Sequence, residues 1–171
     1  MNSKWIFRRA GDRDVPRILE IIRTAQAQMR AAGSRQWQNG YPAEGDIRRD
    51  LACGYGYVLC CAGAEAPAAY GAVVFDGEPA YGALEGRWTT PEPYVVLHRM
   101  AVAGELQRRG AATEFLHRVA DLALRHGVRG FRVDTNFDNV RMLHLLEREA
   151  FAYCGKVHYE SGERLAFDKN L

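Results

Sequence analysis

Apolar residues recur along this chain in two alternating rhythms. Val15, Ile18, Leu19, Ile22, Ala25 and Met29 repeat at the spacing of one helix face. Asp12 or Asp14 can supply the carboxylate at its start, Pro16 is tolerable because it falls in the first turn, and Gly33 stands near the end. Pro42 can open a second, shorter helix with Ile47 and Leu51 inward and Gly54 ending it. A third places Phe115, Leu116, Val119, Leu122 and Ala123 on one face, with Gly127 positioned to end it at positive φ. A fourth is expected over residues 139–149. Between these lie runs with the composition of strands. Residues 5–9 read as an edge strand, and residues 55–61 and 68–75 as an antiparallel pair joined across residues 63–67. Residues 94–102 and 131–135 read as further strands, and residues 151–159 and 163–167 as a closing hairpin turned at Ser161-Gly162. Residues 76–93 read as a polar and aromatic loop carrying Glu78, Glu85 and Glu92.

The strand at 94–102, the basic turn after it, the third helix and the strand at 131–135 form a βαβ unit. Right-handed crossover makes its two strands parallel and neighbouring. The expected architecture is therefore α/β, a mixed and mostly antiparallel sheet with one parallel pair and helices on both faces. No internal repeat or low-complexity tract divides it, so residues 1–171 are expected to form a single domain. The turn, Gln107-Arg108-Arg109-Gly110-Ala111-Ala112, delivers Gly110 to a helix N-terminus. Unpaired N–H groups and the positive end of the helix dipole there suit a phosphate. A nucleotide P-loop would need Gly-Lys-Ser/Thr, and a dinucleotide fold would need spaced glycines followed by an acid. Neither is present in this turn.

Composition narrows the field. Charged residues sum to a net +2, with arginines scattered among acids, which gives little reason to expect nucleic acid. No apolar run approaches the ~18 residues of a membrane span, and Trp5-Ile6-Phe7 before Arg8-Arg9 is too short for a signal-peptide core. Cys53, Cys60, Cys61 and Cys154 show neither metal spacing nor a disulfide framework. Adjacent Cys60 and Cys61 would point to opposite faces of a strand. Reduced thiols in a cytoplasm are the expected state.

The pattern Gln-x-x-Gly-x-Ala, with arginines inside the turn, resembles the acyl-coenzyme A pyrophosphate loop of the GNAT N-acetyltransferase superfamily. That family's pattern is Gln/Arg-x-x-Gly-x-Gly/Ala. Leu97-His98-Arg99-Met100-Ala101-Val102 resembles its preceding strand. Asn139-x-x-Met142-x-x-Leu145-Leu146-Glu147-Arg148-x-Ala150-Phe151 resembles its following helix. Order and spacing agree, and the resemblance covers nearly the whole chain. It implies the three-layer α-β-α acyl-CoA N-acyltransferase fold, with the parallel pair splayed, and acetyl-CoA as cosubstrate without a metal. It also implies roles. Gln107, Arg108, Arg109, Gly110, Ala111, Ala112 and Thr113 would wrap the pyrophosphate, and Gly110 has no Cβ to obstruct close approach. Main-chain groups of Met100, Ala101 and Val102 would hold the pantetheine arm, and a donor there would face the thioester oxygen. Asn139 would hydrogen-bond the coenzyme; as a residue alone it reads equally as a helix N-cap, for which Asp138 competes.

Acetyl transfer to an amine also needs a base, because an alkyl amine of pKa near ~10 arrives protonated at neutral pH. Asp134 stands where some amine acetyltransferases of the family carry a glutamate base, and is the first choice. Its place in an apolar strand would raise its pKa, whereas an ion pair with Arg99 or Arg132 would make it structural. His98, two residues before Met100, is the second choice. One departure stands out. Many family members place a tyrosine seven residues after the asparagine as general acid, and here that residue is Leu146. Tyr153, Tyr159 or His144 could substitute, or water could suffice. The usual Gly-Phe after the helix is Ala150-Phe151. Trp37 and Tyr41, in the loop after the first helix, are candidate walls for a cationic acceptor, together with the loop at 76–93.

The leading expectation is thus an N-acetyltransferase acting on a small-molecule or peptide amine, without nucleic acid or membrane as partner and compatible with a homodimer. The runner-up is a non-catalytic acyl-CoA-binding or regulatory module, which the absent tyrosine favours.

Overall fold

A computed structural model describes residues 4–171. Among these residues are four α-helices, α1 (Val15–Ala31), α2 (Glu44–Ala52), α3 (Ala111–Arg125) and α4 (Val140–Arg148), and eight strands. The strands are β1 (Trp5–Arg9), β2 (Gly56–Cys61), β3 (Pro67–Val74), β4 (Glu85–Gly86), β5 (Tyr94–Val102), β6 (Gly130–Thr135), β7 (Ala152–Tyr159) and β8 (Gly162–Asn170). They form one mixed sheet in the order β1-β2-β3-β5-β6-β8-β7-β4, with β5 and β6 parallel. This is the mixed, mostly antiparallel sheet with one parallel pair expected from the sequence. The chain divides into two compact units, one running to Val73 and including Arg99–Arg118, the other made of Val74–His98 and Val119–Leu171.

In the first unit, β1 pairs antiparallel with β2, and β2 with β3. The inward face of α1, formed by Val15, Ile18, Ile21 and Ile22, packs with Ile47 of α2, Val58 of β2, Tyr70 of β3 and Ala101 of β5. Each fully buried aliphatic chain there contributes about 1.5–3 kcal/mol relative to exposure. Asp14, rather than Asp12, anchors the start of α1. Its carboxylate accepts from the Gly11 N–H (2.8 Å) and from both Arg8 guanidinium nitrogens (2.7 and 2.8 Å). The Arg8 hydrogen bond, outweighing burial, holds that carboxyl below its ordinary pKa. One expected boundary moves. Pro42 does not open α2, because the extended Ala43 caps it and gives its N–H to Asp46 at 2.8 Å, so helical backbone begins at Glu44.

In the second unit, β6 pairs with β8, β8 with β7, and β7 with the short β4. The stretch expected as a simple loop at 76–93 therefore supplies an edge strand, and also a 3₁₀ turn at Pro79–Ala83. Gly155 makes the edge pairing possible, since a Cβ there would lie 2.1 Å from the Glu85 carbonyl oxygen. Fully buried Asp168 ties down the same segment. It accepts from the Thr89 and Thr90 amides at 2.7 and 2.9 Å and from both threonine hydroxyls. Burial alone would raise its pKa, but these donors hold it lowered. Neighbouring Cys154 has its thiol pushed up to about 12, chiefly by burial. The closing hairpin turns at Glu160-Ser161, one residue earlier than expected, because Tyr159 pairs directly with Gly162. The parallel pairing is short. Registered partners run only from Tyr94↔Gly130 to Val96↔Arg132, while β5 continues to Val102.

All four cysteines are free. Among the described residues, no helix is long and apolar enough to cross a membrane, and no His, Cys, Asp or Glu group is placed to hold a metal.

Candidate active site

The turn between β5 and α3 is built to present its amides. Gln107 is anchored by a side-chain hydrogen bond to Gln28 of α1. Arg108 (φ 60) and Gly110 (φ 83) then take left-handed backbone angles on either side of Arg109, and both arginines are exposed. A Cβ built on Gly110 meets nothing within 4 Å, so the space beside it is open. Glu114 donates its N–H to the Gly110 carbonyl (2.9 Å), the first such bond of α3. The amides of Gly110, Ala111 and Ala112 therefore lie ahead of the helical ladder, where an anion can take them. Arg108 and Arg109 add positive charge at the mouth. This local chemistry fits a pyrophosphate.

Upstream, Met100, Ala101 and Val102 form the end of β5, with the Ala101 side chain in the core. Arg99 before them stands at φ 55, an unusual angle for a non-glycine residue inside a strand. Its guanidinium forks onto Asp50 of α2, with Nε to Oδ2 at 2.8 Å and Nη2 to Oδ1 at 2.5 Å. The third branch, Nη1, donates to the Tyr41 hydroxyl at 2.8 Å. Tyr41, expected as an acceptor wall, is thus tied to this cluster. Trp37 is half-buried and packs against the core of the first unit, so its main contact is with scaffold.

The second unit holds the titratable cluster. Asp134 on β6 accepts from Tyr81 Oη (2.7 Å) and Tyr159 Oη (2.8 Å), both onto Oδ2. It forms an ion pair with neither arginine considered above. Arg132 instead lies 4.4 Å from the Trp88 ring centroid and 3.9 Å from that of Tyr94, and donates to the Thr90 carbonyl at 2.8 Å. Burial, and then the Asp134 charge, raise both phenol pKa values, so Tyr81 and Tyr159 stay protonated and donate. His98 places Nε2 3.0 Å from Glu78 Oε2. The Tyr81 ring sits 4.9 Å from Trp88 and 6.4 Å from His98, joining the two carboxylate groups into one aromatic-lined cluster. Sequence reading placed Glu78 in a candidate acceptor loop but gave neither it nor Tyr81 this role. A tyrosine beside an acid in a long loop was the available signal, and it has no spacing rule.

On α4, Asn139 is the N-cap, accepting from the Met142 N–H at 3.3 Å, while Asp138 accepts from Asn136 at 2.5 Å. Of the three stand-ins for the missing tyrosine, Tyr159 joins the Asp134 cluster, whereas Tyr153 and His144 are exposed. Leu146 is 0% exposed. A Leu146→Tyr change would add volume and a hydroxyl to that core, so it should destabilise the protein by about 1–3 kcal/mol in urea unfolding. The helix ends with two bonds, Phe151 N–H to the Leu146 carbonyl and Ala150 N–H to that of Glu147, and Ala150 at φ 61. In this closing geometry glycine is the usual left-handed residue, and alanine there is strained. Ala150→Gly should therefore stabilise by about 1 kcal/mol, seen as a raised urea midpoint with an unchanged slope.

The comparisons with known proteins agree with this geometry. The family model described as acetyltransferase (GNAT) family matches residues 23–151. A GNAT-family acetyltransferase of Streptococcus agalactiae is 35% identical, covering 98% of this chain and 95% of that one, with a TM-score of 0.87. A GNAT-family acetyltransferase of Listeria monocytogenes is 17% identical, covering 98% and 95%, with a TM-score of 0.75. The yncA protein of Salmonella typhimurium, solved with its cofactor acetyl-CoA, shares the fold at 15% identity, 99% and 95% coverage and a TM-score of 0.64. No curated sequence relative matches. On the family match and the 35% identity over nearly its full length, the chain belongs to the GNAT acetyltransferase family, whose members are acetyl-CoA-dependent acyltransferases that acetylate amines.

Proposed function

We propose that residues 1–171 act as one N-acetyltransferase domain that transfers acetyl from acetyl-CoA to a primary amine of a small molecule or peptide. The amine attacks the thioester directly. In this reading the amides of the turn at Arg108 to Thr113 hold the pyrophosphate, and Asn139 contributes a side chain to the coenzyme. Backbone groups of Met100, Ala101 and Val102 hold the pantetheine arm, and an N–H there stabilises the thioester oxygen as charge develops.

Asp134 removes the proton from the incoming ammonium. The observation that carries this role is the one-sided hydrogen bonding of its carboxylate. Both phenols donate to Oδ2, and among the described residues no donor reaches Oδ1, which keeps lone pairs for an amine proton. His98 is the second choice. With Nε2–H donated to Glu78, its Nδ1 would carry the lone pair. The raised phenol pKa values make Tyr81 and Tyr159 weak acids, so departing thiolate takes its proton from water. A thiol of pKa near ~8.5 is a good enough leaving group for that. The aromatic and acidic surroundings of Glu78, Tyr81, Trp88 and Asp134 suit a cationic acceptor. Four free thiols suit a reducing compartment, and we place the protein in the cytoplasm.

The test is release of free thiol from acetyl-CoA across a broad panel of amines. Amine-dependent release supports the enzyme. Tight acetyl-CoA binding without turnover of any amine would favour a regulatory acyl-CoA-binding module, the reading consistent with leucine at position 146.

A further inference from the structure

We propose that the Arg99–Asp50 pair positions the backbone that stabilises the thioester oxygen. It holds Arg99 in its left-handed conformation in β5 and thereby sets the direction of the Met100 N–H. The inference rests on the role given above to the end of β5, and adds Asp50, on a different element, to the residues the reaction needs.

A non-glycine residue at φ 55 within a strand persists only where its surroundings over-determine it. Here they do. The guanidinium meets Asp50 through two parallel bonds, Nε to Oδ2 and Nη2 to Oδ1, which fix a planar fork in direction as well as distance. Asp50 is itself 3% exposed and is held by the fully buried Tyr70, whose hydroxyl donates to Oδ2 at 2.6 Å. Tyr41 takes the remaining guanidinium branch. Side-chain direction at position 99 is therefore dictated from α2 and β3, and the Cα–Cβ bond transmits it to the backbone. The peptide that follows carries the Met100 N–H. Rotation at Arg99 turns that peptide away from the orientation a regular strand would give it. A lysine, as a point charge on a flexible stem, could not impose the same direction.

Arg99→Gly and Arg99→Ala separate a backbone role from a charge role. Glycine adopts positive φ without strain, whereas alanine does not. Arg99→Ala and Arg99→Lys should lose ~10- to 100-fold in kcat, at or below the cost of one oxyanion donor. Arg99→Gly should keep several-fold more turnover than Arg99→Ala. In all three the Kd for coenzyme A should change much less than kcat, because the pyrophosphate turn is untouched and only the peptide at the end of β5 moves. Asp50→Asn, which keeps the shape but weakens the fork, should show the same fall in kcat with a much smaller change in Kd. It serves as the second arm if a position-99 variant does not fold. Equal kcat for the glycine and alanine variants, unaltered kcat in Asp50→Asn, or affinity falling in step with kcat would each overturn the proposal. Those results leave the transferase reading standing, because it fails only if the unmodified protein turns over no amine.

Discussion

Gly110→Glu should abolish coenzyme A binding while the protein stays folded. The structure separates the two effects. Gly110 is exposed, and a Cβ added there meets nothing within 4 Å, so no packing is lost. The φ of 83 charges a side-chain residue about 1–2 kcal/mol of conformational strain. A domain with typical stability of about 5–15 kcal/mol tolerates that. The ligand site fares worse. The new carboxylate stands among the amides that a pyrophosphate must take, adding like-charge repulsion and competing for the same donors. Calorimetry should show affinity weakened at least ~100-fold, equivalent to about 2.8 kcal/mol. Gly110→Ala adds the strain without the charge and should lose much less. Unchanged affinity in a folded Gly110→Glu protein would remove the turn from the cofactor assignment.

That turn was legible because its signal is local. A glycine, two arginines and a helix start lie within six consecutive residues, and a strand and a helix of clear periodicity flank them. The helix ends were legible for the same reason. Gly33, Gly54 and Gly127 follow α1, α2 and α3 at positive φ, and only α4 closes on an alanine. The surroundings of Asp134 and Arg99 were not legible. Tyr81 is separated from Asp134 by 53 residues and Tyr159 by 25, and Arg99 is 49 from Asp50. No periodicity connects positions so far apart, because a 3₁₀ turn (Tyr81), a helix (Asp50) and separate strands supply them and tertiary folding brings them together. The partners considered for Asp134, Arg99 and Arg132, were the nearest charges along the strands, whereas the observed partners are two tyrosines from elsewhere in the chain. The loop at 76–93 also hid an edge strand of only two residues, too short to leave a pattern.

The same cluster gives the sharpest test of mechanism, Asp134→Asn. Asparagine keeps the size of the side chain, and its carbonyl oxygen can still accept from Tyr81 and Tyr159. At the other position it presents an NH₂, which cannot take a proton. A positioned general base is worth ~10² to 10⁴ in rate, so kcat should fall by roughly two orders of magnitude. Acetyl-CoA affinity should change little, since neither the turn nor the end of β5 is altered. The deficit should shrink as pH rises toward the amine pKa near ~10, because more acceptor then arrives already neutral and needs no base. His98→Gln is the matched control. If it reproduces the loss and the pH dependence while Asp134→Asn does not, the base is the histidine held by Glu78. If neither variant changes the pH profile, the ammonium loses its proton to solvent, and Asp134 is retained only as the carboxylate that orders two phenols.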